Sequence, residues 1–189
     1  MEALRKYLWI VVGGFALGLL GVGAFLVYAG FDAKAMIRRE LAQVNVTTAA
    51  DAEQFGVAVG LPVLDAKTAQ AESDVIEMHS TNIKGEVLKS GAPTTLHYAE
   101  MKKDLFVDDQ AYTNARTSHL NGLNLRNALS LAIMGFGVAN LAIALGAFAI
   151  VMGVTFTGLT AAAIVWALKA HPKAAPAARP DFRPVPAKA

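Results

Sequence analysis

The chain has 189 residues, of which 54% are hydrophobic and 17% charged, with a net charge of +2 and no cysteine. Without cysteine it has no disulfide framework, thiolate nucleophile or cysteine metal site, and so small a net charge leaves no footprint for nucleic acid. The apolar excess is gathered in two blocks free of charged side chains, Leu8 to Gly30 and Ala128 to Leu168. Each meets the length of roughly 20 residues needed to cross bilayer hydrocarbon, which predicts an integral membrane protein.

Residues 1–7 carry Arg5 and Lys6 against a single acid, Glu2. Short basic flanks stay on the cytoplasmic side, so the N-terminus is expected there. The block 8–30 is the first predicted transmembrane helix. Its 23 residues exceed the roughly 7–15-residue apolar core of a cleaved signal peptide, and it is expected to be retained. Tyr7 and Trp9 at one end and Tyr28 at the other stand where aromatic side chains anchor at headgroup level.

Residues 31–127 hold ten Lys and Arg against thirteen Asp and Glu. This mildly acidic middle is expected outside the cell as a small helical extracytoplasmic module. From Phe31 to Gln43, Ala33, Met36, Ile37 and Leu41 recur at helical spacing, so the first helix continues outward as an amphipathic segment. Thr47 to Asp51 reads as a capped turn and Gly56 to Pro62 as a loop. Asp65 opens a second helix carrying Ala66, Ala69, Val75, Ile76 and Met78, which runs to about Ile83. Gly85 to Pro93 breaks the pattern. Tyr98, Met101, Leu105 and Phe106 predict a short third helix. From Tyr112, through His119, Leu120, Leu123 and Leu125, a helical pattern enters the second apolar block.

That block, 128–168, contains 41 uncharged residues, about 60 Å as a helix and twice the hydrocarbon thickness. It forms either one long, tilted or bent span or a hairpin, which would make three spans in all. A turn at Gly146 to Ala149 lacks Pro, Asn, Asp and Ser, and one at Gly153 to Gly158 leaves about ten residues for the last span. A hairpin would also put the basic tail outside. One long span is the favoured reading. The tail, 169–189, has Lys169, Lys173, Arg179, Arg183 and Lys188 against Asp181, and five prolines from His171 onward. It is expected to be disordered and cytoplasmic, its charges either setting topology or holding anionic lipid at about 1 kcal/mol each.

No Asp, Glu, Lys, Arg or His lies within either apolar block, so no proton relay or ion path is signalled. Asn140 is the one strongly polar side chain in the second block, suited either to a bond with a partner span or to one with a neighbouring carbonyl. Gly14 and Gly18, with Gly21 close to the same face, form a Gly-x-x-x-Gly groove. Ala142 with Gly146, and Ala149 with Gly153, repeat the small-x-x-x-small spacing that lets helix backbones approach in lipid. These eight are the candidate helix-packing residues, for pairing within the chain, with another subunit or with a second copy.

The series Leu41, Val46-Thr47-Thr48, Asp51-Ala52; Ala69, Ala71, Asp74, Val75-Ile76, His79; Tyr98-Ala99-Glu100-Met101; Arg116; Leu125-Arg126; and Gly135-Phe136-Gly137-Val138-Ala139 resembles a family of small actinobacterial membrane proteins. The resemblance covers residues 4–155 and implies an N-terminal span, an outer helical segment and a Gly/Ala-rich final span. Many members are labelled aromatic ring-opening dioxygenases. The chain departs from the family pattern in a longer insertion around Lys84 to Pro93 and in an apolar block that runs past Gly153.

A ring-cleaving iron enzyme needs two His and a carboxylate around an open metal position. The candidates are His79, His97 and His119 with Asp74, Glu77, Glu100, Asp104, Asp108 and Asp109, but each His stands alone in its segment and none forms a dense ligand motif. Asp74 and His79, five residues apart, face different sides of a helix. Ser73, Ser80, Ser90 and Ser118 lack a Gly-x-Ser-x-Gly context, and no Gly-rich phosphate loop is present. No catalytic residue, metal, cofactor or small-molecule substrate is therefore assigned. The reading is an all-α, two-span plasma-membrane protein with both termini cytoplasmic, noncatalytic, and acting as an accessory or scaffolding subunit. The alternatives are a metal-dependent oxygenase and a ligand-binding sensor module.

Overall fold

The computed structural model describes residues 2–170; of the expected tail at 169–189, residues 169 and 170 belong to the last helix and 171–189 lie outside the described residues. The described residues are mostly helical with no strand. Three α-helices are present: α1, Glu2–Val44; α2, Ala66–Thr81; and α3, Asp109–Ala170. Within α1 and α3, the stretches Trp9–Val44 and Asp109–Trp166 are long and apolar enough to cross a membrane. The chain divides into two compact units, one combining α1 up to Val22 with α3 from Ala149, the other running from Gly23 to Phe148.

In the first unit α1 and α3 meet through small residues. Ala16 is fully buried, and a Cβ placed on Gly153 would lie 3.0 Å from the Ala16 carbonyl oxygen and 2.8 Å from Leu20 Cγ. Phe15 and Phe156 meet edge to face beside this contact, with ring centroids 5.9 Å apart. No turn interrupts α3 at Gly153 to Gly158. The hydroxyls of Thr155, Thr157 and Thr160 donate to the carbonyls of Val151, Gly153 and Phe156 at 2.8–2.9 Å. This back-bonding to the preceding turn leaves the hydroxyl donors satisfied inside the helix. The apolar block is accordingly one helix and not a hairpin.

In the second unit the same kind of contact recurs. A Cβ on Gly146 would stand 2.6 Å from the Gly23 carbonyl oxygen, one on Gly30 2.8 Å from the Ala139 carbonyl oxygen, and one on Gly135 2.7 Å from Ile37 Cδ1. α1 ends at Val44, where Asn45 turns left-handed at φ 52°. A short 3-10 helix, Ala50–Phe55, follows and closes on Gly56 at φ 72°, a backbone conformation that glycine takes without Cβ strain. The chain then returns to pair Thr47 with Pro62. This strap packs Ala52 and Val57 onto Ala71 and Val75 of α2. Val63, Ala69 and Leu129 form a second buried cluster with Leu41, Ile76 and Leu125, tying α1, α2 and α3 together.

α2 begins where Asp65 supplies both halves of a capping box: its carboxylate accepts from the Thr68 N–H at 2.8 Å, while Thr68 Oγ1 accepts from the Asp65 N–H. The third helix expected at Tyr98 to Phe106 does not form. Glu100 Oε2 accepts the His97 N–H and closes one turn, a 3-10 turn at Lys103–Leu105 is the only helical piece of the expected stretch among the described residues, and the backbone is extended at Phe106, which pairs with Leu88. Leu96, Met101 and Phe106 are all buried in one cluster with Leu88 and Ala111. Their five-residue spacing cannot face one side of an α-helix, whereas alternating turns and extended backbone bring all three inward. α3 is opened by Asp108, whose carboxylate accepts the Ala111 N–H at 2.7 Å.

Candidate binding surfaces

The helix-packing candidates separate into two sets. Gly146 and Gly153 are buried at the contacts just described, with Ala142 and Ala149 half-buried beside them. Gly14, Gly18 and Gly21 are exposed, and a Cβ on any of them would meet nothing within 4 Å. Asn140 is exposed as well. Opposite the α3 glycines stand Ala16, Gly23 and Gly30, three residues not singled out from the sequence. Their signal was present: Ala16, Gly23 and Gly30 recur every seven residues, as do Ala139, Gly146 and Gly153, the period that keeps one helix seam facing a partner.

In the first unit Gly14, alone of Gly14, Gly18 and Gly21, borders an apolar groove of about 490 Å³, lined by Trp9, Gly13, Gly14 and Leu17 from α1 and by Thr157, Ala161 and Ile164 from α3.

In the second unit α2 and α3 pack closely at Gly122, where a Cβ would lie 2.9 Å from Ser80 Cβ. Above this contact lies a cavity of about 180 Å³ bordered by Ala49, Glu72, Val75, Ile76, His79, Ser80 and Ser118. A wider cleft of about 310 Å³ shares His79, Ser80 and Ser118 and extends past Asn82, Lys84 and Asn114. Glu72 is buried, at 8% exposure, and its Oε2 accepts the Ala49 N–H at 2.8 Å, capping the 3-10 helix from across the strap. His79 Nε2 lies 2.7 Å from Asp51 Oδ2 at the surface.

His119, 3% exposed, is the buried histidine. Its Nδ1 lies 2.8 Å from the Ser80 carbonyl oxygen. A carbonyl only accepts, so Nδ1 carries the proton and satisfies one of the orphan carbonyls at the end of α2. Tyr98 stacks on the His119 ring at 5.9 Å. The Arg116 guanidinium lies 4.3 Å from the centre of the Tyr98 ring and donates to the hydroxyls of Tyr112 and Tyr98. Those two acceptors raise its pKa above the ordinary arginine value, Tyr112 contributing most. This cluster locks the Tyr98 turn and the end of α2 onto α3.

The three histidines do not converge: His79 faces Asp51, His97 is exposed on its turn, and His119 is buried against Ser80. Among the described residues no group of three His, Asp or Glu side chains is close enough to hold a metal ion. Comparison with protein-family models, with curated proteins and with solved structures finds no match to this chain.

Proposed function

We propose that this chain is a noncatalytic, two-span plasma-membrane protein that serves as an accessory or scaffolding subunit. One observation carries the reading: the apolar helices are built inside out. Ala16, Leu129, Phe136 and Ala139 are buried with the glycines at the contacts, but Phe15, Leu17, Val22, Phe25, Leu131, Met134, Leu141, Leu145, Phe148 and Val151 are all exposed. Only 11% of the most apolar window of α1 and 17% of that of α3 is buried. In water such an arrangement wastes the hydrophobic effect, since large apolar side chains belong inside; in lipid it is favourable, because close backbone packing of small residues is what associates helices there. The short basic flanks at both ends support cytoplasmic termini, with residues 31–127 outside.

The subunit role follows from what the chain leaves unused. The Gly14, Gly18 and Gly21 face offers close approach to a further helix, and Asn140 offers an interhelical hydrogen bond worth about 0.6–2 kcal/mol. Crosslinking in native membranes followed by mild-detergent purification and mass spectrometry tests this. A co-purifying membrane protein, or a second copy, lost in Gly14→Leu/Gly18→Leu supports the role; a chain that always emerges alone and monomeric overturns it.

A further inference from the structure

We propose that the cavity between α2 and α3 binds a primary alkylammonium group, with Glu72 as its counter-ion. The site lies wholly within the Gly23–Phe148 unit, and the inference holds whether or not the chain is a subunit of a larger assembly.

Glu72 is buried, yet among the described residues it takes part in no salt bridge. The close pairs of basic and acidic side chains among the described residues are Lys103 with Asp109, Arg126 with Glu77, and the His79 ring with Asp51. A carboxylate withdrawn from water is unfavourable unless it is paired and hydrogen-bonded. Among the described residues its one hydrogen bond comes from the Ala49 N–H and occupies one of about four acceptor positions on the two oxygens.

The cavity beside it supplies what an ammonium group needs. Ser80 Oγ donates to the Glu77 carbonyl at 3.1 Å, so its lone pairs remain as acceptors, and Ser118 adds a second hydroxyl on the α3 side. An ammonium has three N–H donors and no acceptor, which one carboxylate and two hydroxyl oxygens match. Val75 and Ile76 on the same wall would hold an aliphatic stem. At the rim the His79 ring is held by the Asp51 carboxylate at 2.7 Å, and Lys84 stands in the outer cleft. The volume of about 180 Å³ equals roughly six waters at about 30 Å³ each, room for a short alkylamine. A divalent metal fits less well, since the nearby donors do not assemble the several oxygen ligands that such a cation requires. The group could belong to a free alkylamine or to a lysine side chain.

The test is a ligand-observed NMR titration of n-butylammonium chloride into the full-length chain in non-ionic detergent. Saturable binding is expected, with none for butyrate. Glu72→Gln keeps an oxygen for the Ala49 N–H and removes the charge, and should weaken binding by about tenfold or more, the scale of one charge-assisted hydrogen bond. Ser118→Val, at an exposed position that leaves the core intact, should weaken it as well. Competition by N-acetyl-Gly-Lys-Gly-amide assigns the natural group to a lysine side chain and its failure to compete to a free amine, and both outcomes support the site. No saturable binding to the native chain, or affinity unchanged in both variants, overturns the proposal.

Discussion

Gly146 and Gly23 meet backbone to backbone: a Cβ added to Gly146 would sit 2.6 Å from the Gly23 carbonyl oxygen, with Val27 2.8 Å away on the other side. Main chain cannot yield as a side-chain tip can, so the contact tolerates only hydrogen at that position.

Gly146→Leu should therefore lower stability by about 1–3 kcal/mol, the usual cost of overpacking. Gly14→Leu, whose Cβ meets only open space, should leave it unchanged. Thermal unfolding in detergent, followed by far-ultraviolet circular dichroism, distinguishes the two. Equal destabilisation by both would show that the α1–α3 contact is misassigned.

His119→Ala should destabilise the Gly23–Phe148 unit by about 2–4 kcal/mol. The change leaves the Ser80 carbonyl without its donor and opens a cavity under Tyr98. Hydrogen exchange is the informative measurement: protection should fall first at the C-terminal turn of α2 and at residues 97–101. Uniform loss across the unit would count against a local capping role.

Asp65 should make α2 acid-sensitive. The Thr68 backbone N–H is the largest cause holding its carboxyl below the ordinary value of 3.8. A carboxylate with a depressed folded-state pKa contributes fully at pH above its unfolded value and loses that contribution as pH falls through the folded one. Native and Asp65→Asn proteins should thus differ at neutral pH, and the difference should shrink only as pH falls below 3.8 and through the depressed folded-state value. Asp65→Ala should cost about 1 kcal/mol at neutral pH through loss of the cap. Chemical denaturation across this pH range provides the measurement.

Sidedness can be read directly, because the chain has no cysteine of its own. With a membrane-impermeant maleimide on intact cells, Ser90→Cys should label and Val185→Cys should label only after permeabilisation. The reverse pattern would invert the topology.

Much of the helical framework was legible because its signals are local. Asp65 announces α2 three residues ahead of Thr68, and uncharged blocks of that length read as long helices wherever they fall. The stretch from Tyr98 to Phe106 misled because several apolar residues at near-helical spacing look amphipathic; Leu96, Met101 and Phe106 are in fact gathered by turns that no single period describes. The glycines show a different limit. A small-x-x-x-small groove is visible in either helix alone, but which face meets the neighbour emerges only when the line of Ala16, Gly23 and Gly30 is set against that of Ala139, Gly146 and Gly153. Glu72 gave no signal at all: its partner Ala49 lies 23 residues away, and the strap that joins them is held by tertiary packing.

Thr155, Thr157 and Thr160 give their protons to their own helix. With their donors satisfied inside the helix, these hydroxyls place no unpaired N–H or O–H against the surroundings of α3. What sets that stretch of α3 against α1 is therefore shape: the notch at Gly153 that admits Ala16, and the Phe15–Phe156 pair beside it.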